Sequence, residues 1–375
     1  MTFKKKQLIQ DQLLQAARSK PVNCPVPGTN SDDAYTKLPP QRLVPKPTGG
    51  WVLIPKSPLY VRAILVSSNG SEWSVGTQWH GYFRSNDGGR TWDSGSGREL
   101  DSYTVSALVS GPKGIFAGLD PGSSSDKCRL APIQYFARGK NAWRSWEFPC
   151  TAVTALAVKG DVLIAGTIGG VLTLSLRPES KDIVRFGLVS RRIYSVGAGK
   201  SIVAGVGWAD KTPKAKTRYS AFKREDVQQT VGQYPSSEPA WMELDEGLGE
   251  MQATGASITA MTLGPDATLY AGTSKGTLIY LDDASTPRWV AINAPQNAGR
   301  IDALKVANGK LFVAARNGGV SYFDLSARDS ASKRDLTKAW HPLPGLPKSQ
   351  VHALEIAGKN LLVGTQEGIY RREVQ

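Results

Sequence analysis

Along most of this chain apolar residues alternate with small or polar ones in short runs, as in Ile258-Thr259-Ala260-Met261-Thr262-Leu263. A period of two is the pattern of a half-buried strand, and the breaks between runs fall at Gly, Asn and Asp, the residues of tight turns. No apolar run approaches the roughly 20 residues that cross a bilayer as a helix.

The runs repeat as a group. The clearest copies are Val153 to Leu176, Ile258 to Leu281, Ile301 to Leu325 and Val351 to Arg371, with weaker copies starting at Val61, Val105 and Ile193. Each copy has an alternating strand, a turn, a second strand closing in Ala-Gly-Thr or similar, a Gly turn and a third strand. In most copies a Trp then opens a fourth: Trp92, Trp143 or Trp146, Trp241, Trp289 and Trp340, with Phe186 as the substitute in the third copy. Four short strands per unit of about 47 residues predict an all-β fold, a seven-bladed β-propeller of four-stranded antiparallel blades. The seventh copy runs out at Gln375 before a fourth strand, and a Trp-led segment at about residues 49–55 has no copy of its own. That segment is predicted to complete the last blade and close the ring, which leaves no long unpaired edge. Residues 49–375 then form one domain. Residues 1–48 form a Pro-, Ser- and Asn-rich tail with a short helix over 7–17, whose apolar side is Leu8, Ile9, Leu13 and Leu14.

Charge adds a partner class to this picture. The net charge is +14, and twelve basic residues against three acids fall between Arg177 and Arg224. Such an excess points to an acidic protein surface, with nucleic acid as the less favoured partner. Lys4, Lys5 and Lys6 mimic the start of a signal peptide, but Gln7, Gln10, Asp11 and Gln12 interrupt any apolar segment behind them, so a cytoplasmic location is expected.

Ser85-Asn86-Asp87-Gly88-Gly89-Arg90-Thr91-Trp92 follows the Asp-box pattern S-x-D-x-G-x-T-W. With the V-x-A-L and A-G-T-x-x-G repeats, it resembles the sialidase-like, WD40/YVTN/BNR-like group of propellers. The resemblance implies a structural role for Ser85, Asp87, Gly89, Thr91 and Trp92: a carboxylate binding the amides of its own turn, glycine at positive φ, and a packed indole. The other copies keep only degenerate boxes. The group spans sialidases, photosystem assembly factors, receptors and noncatalytic scaffolds, so the likeness speaks for the fold and leaves the activity open.

Nothing in the spacing assembles an enzyme. His80, His341 and His352 lie in separate copies, no Cys stands near a His or another Cys, and Gly169-Gly170 and Gly318-Gly319 lack the Lys-Ser of a phosphate loop. Neither a catalytic set, a cofactor nor a metal is predicted. A partner-binding surface is predicted where turns between second and third strands are elaborated: Trp79 and His80 in the first copy, and Trp208, Lys211, Lys214, Lys216 and Arg218 in the fourth. The repeat also brings Cys128 and Cys150 to one face of one blade, either as a disulfide or as two reduced thiols. The function that fits best is a noncatalytic protein-interaction scaffold, a subunit or assembly factor of a larger complex. The alternatives are a sialidase-like glycan-binding or glycoside-cleaving protein, a nucleic-acid-binding propeller, and a photosystem-assembly-like factor.

Overall fold

The computed structural model describes residues 46–374 apart from 95–99, 113, 121–131, 138–142, 147–150, 177–183, 189–191, 200–201, 208–220, 225–241, 245, 249–255, 283–287, 293–297, 317–318, 327–339 and 348. The predicted helix over 7–17, Cys128, Cys150 and the group from Trp208 to Arg218 lie outside the described residues.

Antiparallel sheets follow one another in chain order. The first carries Val61–Val66, Trp73–Thr77 and Tyr82–Ser85. The second carries Thr104–Gly111, Gly114–Asp120, Ile133–Ala137 and Trp143–Trp146. The third carries Val153–Lys159, Val162–Thr167, Gly170–Ser175 and Val184–Gly187. The fourth carries Arg192–Ala198, Ile202–Gly207, Ala221–Arg224 and Met242–Leu244. The fifth carries Ile258–Leu263, Leu269–Thr273, Leu278–Asp282 and Arg288–Ile292. The sixth carries Ile301–Ala307, Lys310–Ala315, Gly319–Asp324 and Trp340–Pro342. The last carries Val351–Ala357, Asn360–Thr365 and Ile369–Glu373, and takes Val52–Leu53 as its outer strand, with Val52 opposite Arg371 and Leu53 opposite Tyr370. The fold is an all-β β-propeller.

Among the described residues it has six four-stranded blades and one three-stranded sheet, where the repeat predicts seven four-stranded blades. In the first sheet Trp92 opens no fourth strand. The chain leaves Ser85 through a turn held by bonds to Ser85 and Asp87 and by Gly88 N donating to Ser71 O at 2.9 Å, and among the described residues it rejoins the sheet at an isolated bridge between Arg84 and Asp93. Trp92 turns inward against Trp73, with ring centroids 6.2 Å apart at 64°, so it packs instead of leading a strand.

The core lies between sheets. Each hydrophobic cluster takes residues from two successive sheets: Phe116 and Ile133 pack on Leu163 and Leu172, and Tyr270 and Leu278 pack on Leu311 and Phe323. One cluster joins Val61, Ile64 and Trp73 to Ala353, Leu362 and Ile369, the first sheet to the last. The glycine of Ala-Gly-Thr makes this packing close. A Cβ on Gly272 would sit 2.4 Å from Ile301 Cγ2, and one on Gly364 would sit 2.5 Å from Val61 Cγ1. The β-branched residue that begins each first strand therefore fills the space a side chain would have taken. Outer tryptophans tie sheets by polar contact as well: Trp289 Nε1 donates to Leu244 O at 3.1 Å, and Trp51 Nε1 donates to Leu343 O at 3.2 Å.

Candidate functional site

The first strands are the innermost, and they touch one another from sheet to sheet. Each carries a bulge one residue after its opening Val or Ile. In the first sheet Val61 pairs with Thr77 and Ala63 with Gly76, which leaves Arg62 unpaired. The same shift leaves Ser106, Thr154, Tyr194, Thr259, Asp302 and His352 at the bulges of the other sheets. An unpaired bulge residue is re-aimed away from the pleat, which frees its side chain for a role outside the ladder. Sequence reasoning missed these residues. The signal was the variable second letter of the V-x-A-L repeats.

Three bulge residues use a hydroxyl to link sheets. Thr259 Oγ1 donates to Gly272 O at 3.2 Å and to Ile301 O of the next sheet at 2.6 Å. Thr154 Oγ1 does the same with Gly166 O at 3.0 Å and Ile193 O at 2.6 Å, and Ser106 Oγ bonds Gly118 O at 3.1 Å and also Val153 O. In the fourth sheet the adjacent Ser195 reaches Ile258 O at 3.3 Å, and Tyr194 is left for other contacts.

The remaining bulge residues build a charged cluster. Arg62 Nη1 donates to His352 Nδ1 at 3.3 Å, and its Nη2 donates to Gln78 Oε1. Asp302, whose side chain is 6% exposed, is shared by two arginines: Arg300 Nε lies 2.6 Å from Oδ1 and Arg316 Nε lies 3.3 Å from Oδ2. Arg300 and Arg192 also flank the Tyr194 ring, their Cζ atoms 5.8 and 5.3 Å from its centroid. Backbone bonds fix the rim of the cluster, from Arg316 N to Arg300 O at 2.8 Å and from Gln78 N to Tyr60 O at 2.8 Å. Deeper along the inner strands Lys305 pairs with Glu355.

Burial pushes the Arg62 guanidinium below its ordinary value, and the positive charges of Arg316 and Arg300 act in the same direction against Asp302 and Asp120. His352 is held down to about 4, first by burial and then by Arg62, with Asp302 opposing and Arg316 and Arg300 reinforcing. Because Arg62 is the donor, His352 Nδ1 is the acceptor and the ring proton sits on Nε2, a buried atom with no hydrogen-bond partner among the described residues.

Among the residues singled out from sequence, Trp79 stands beside this cluster. It follows Gln78, is 56% exposed and takes φ 68°, a strained conformation for a bulky side chain. His80 is half-buried against Tyr60, ring centroids 5.9 Å apart. The residues from Ser85 to Trp92 lie elsewhere, in the turn after the third strand of the first sheet. There Asp87 Oδ1 accepts from Arg90 N at 3.0 Å and Thr91 N at 2.9 Å, and Asp87 Oδ2 accepts from Thr91 Oγ1 at 2.6 Å. Ser85 Oγ donates to Asp87 Oδ1 at 2.8 Å and accepts from Gly89 N at 2.8 Å. Those bonds, Thr91 foremost, hold the Asp87 carboxyl down to about 2. Gly89 takes φ 83°, and a Cβ there would meet the Trp73 ring at 2.7 Å. Among the described residues no three His, Cys, Asp or Glu side chains gather as metal ligands, and no helix is long and apolar enough to cross a membrane.

The sequence matches no family model and no curated protein. Many solved structures share the fold. The WD40 repeats of RRP9 align with 88% of this chain and 100% of that one at 11% identity and TM-score 0.61. YCF48 bound to a D1 peptide aligns with 88% and 99% at 13% identity and TM-score 0.58. The extracellular domain of a hybrid two-component system, BT4673 from B. thetaiotaomicron, aligns at 17% identity and TM-score 0.61, and this chain spans 39% of its length. At such identities the likeness is one of fold: the chain is similar to propellers of the WD40 and BNR type.

Proposed function

We propose that this chain is a ring of seven propeller units, closed by the amino-terminal strand, that works without chemistry of its own as a scaffold for a protein partner with an acidic surface. The pairing of Val52–Leu53 with Ile369–Glu373 and the packing of Val61 against Gly364 support the closed ring. On this reading Ser85 to Trp92 form a structural Asp box that ends the first unit.

The scaffold reading is carried by one observation: arginines from several sheets converge on the innermost strands, beside an exposed Trp79 on a short turn. Positive charge next to an exposed aromatic on rigid strands suits a protein partner, since aromatic and Arg side chains are the usual anchors of interfaces. A glycoside-cleaving site needs two carboxylates placed to act on a substrate. Asp302 has both oxygens engaged by arginines, which suits a structural counter-ion better than an acid or nucleophile. YCF48 with its D1 peptide shows that a propeller of this general shape accommodates a peptide.

Affinity purification of the full chain followed by mass spectrometry tests the reading. Recovery of a stoichiometric protein complex supports it. A free monomer that cleaves or binds glycans, or that binds DNA or RNA with a steep salt dependence, sinks it.

A further inference from the structure

We propose that the inner-strand cluster of Arg62, Arg316 and His352 is a receptor for a carboxylate of an acidic peptide segment, and that His352 takes up a proton when the carboxylate binds. The proposal deepens the scaffold reading and rests on it for the nature of the partner.

Three guanidiniums, Arg62, Arg300 and Arg316, share the field of two carboxylates, Asp302 and Asp120. Asp302 is the counter-ion of both Arg300 and Arg316. Arg62 is bonded, among the described residues, to two neutral acceptors, the Gln78 amide oxygen and the His352 ring nitrogen. A half-buried guanidinium loses hydration and regains little of it from neutral partners. A carboxylate supplies the missing charge, and its two oxygens match the fork of an arginine. Access is available from solvent, because the side chains of Arg300 and Arg316 are 34% and 41% exposed and Trp79 flanks Gln78.

The neighbouring histidine makes the site report its own occupancy. His352 faces Arg62 from the first sheet and Arg300, Asp302 and Arg316 from the sixth. In the free protein, protonating Nδ1 puts two donors, Arg62 Nη1 and the imidazolium, face to face, so the ring stays neutral. A bound carboxylate gives both donors an acceptor and lifts that penalty. Binding and proton uptake are then linked, and affinity rises as pH falls.

Imidazole proton resonances of the full chain are followed by NMR from pH 7.5 to 4 with either of two probes at up to about 10 mM. One is an acetylated tetraglutamate with an amidated end, and the other is an acetylated triglycine with a free carboxylate end. Binding of the first assigns side-chain carboxylates and binding of the second assigns a chain terminus. The expected result is saturable binding of at least one probe, an upward move of the His352 midpoint, and affinity lowered about tenfold in Arg62→Gln and in Arg316→Gln. In His352→Gln binding persists and its pH dependence flattens. The amide spectrum of each variant reports its folding. The site is refuted if neither probe moves the His352 resonance, or if both arginine variants, folded, bind as the wild type does. A partner protein recovered equally with wild type and Arg62→Gln leaves the scaffold standing and removes the carboxylate site. Probe binding with no partner protein recovered does the reverse.

Discussion

Two arcs of equivalent bulge positions do opposite work. Ser106, Thr154 and Thr259 sit at the same bulge as His352, Arg62 and Asp302. On the first arc a short hydroxyl bonds a carbonyl of its own sheet and one of the next, and every polar atom is spent on joining sheets. On the second arc the side chains are long or charged and bond one another and the rim of the cluster. The backbone tolerates both because a bulge residue has left the ladder in either case. A repeat can thus keep its fold while a single position changes from fastener to binding group.

If the hydroxyl arc is a fastener, Thr259→Val should show the largest loss of stability. Thr259 is 8% exposed, and valine keeps its shape while removing the donor to both Gly272 O and Ile301 O. The expected cost is about 2 kcal/mol, read from urea denaturation, with peptide binding unchanged. Asp302→Asn should cost less, about 1 kcal/mol, since its arginine partners are partly exposed and screened. Its binding phenotype should run the other way: with Arg300 and Arg316 released from their counter-ion, affinity for the tetraglutamate probe rises. A parallel loss of stability and of binding in this variant contradicts the division of labour between the arcs.

How much of this was legible in the sequence depends on what the repeat encodes. The alternation gave the strands, and the glycine of Ala-Gly-Thr marked where Ile301 or Val61 of a neighbouring sheet presses in. The spacing of Trp289 and Trp340 located the outer strands of the fifth and sixth sheets. Trp92 misled, because the same indole that leads a strand elsewhere is captured here by Trp73 after a turn that Asp87 closes locally. The charged cluster was hidden for a different reason. Arg62, Asp302 and His352 are far apart in sequence and share only their register, and register against a bulge becomes visible once the strand pairs are known. Trp79 was found because an aromatic in a turn between strands stands out without its neighbours, although the turn itself is short.

Arg62→Gln should move stability by no more than about 0.5 kcal/mol, because it removes a costly half-buried cation whose bonds, among the described residues, go to neutral partners. The smallest effect at neutral pH belongs to His352→Gln, and it grows in a defined window. In the unfolded chain the imidazole gains its proton near 6.5, whereas in the fold it does so near about 4. Between those values the unfolded state binds more protons, so His352 makes the wild type lose stability as pH falls from 6.5 towards 4 and contributes no slope above that range. The glutamine variant lacks this slope, and its urea midpoint should converge on or overtake that of the wild type by pH 4.5. Asp87 acts in a separate range: its carboxyl ordinarily titrates near 3.8 and is held to about 2, so the stability it lends is present above 3.8 and disappears as pH falls through about 2. Acid sensitivity between pH 6.5 and 4 that survives in His352→Gln therefore cannot come from the turn at Asp87. A slope in that window as steep in His352→Gln as in the wild type would mean that the imidazole is not the buried neutral group that the charged arc requires.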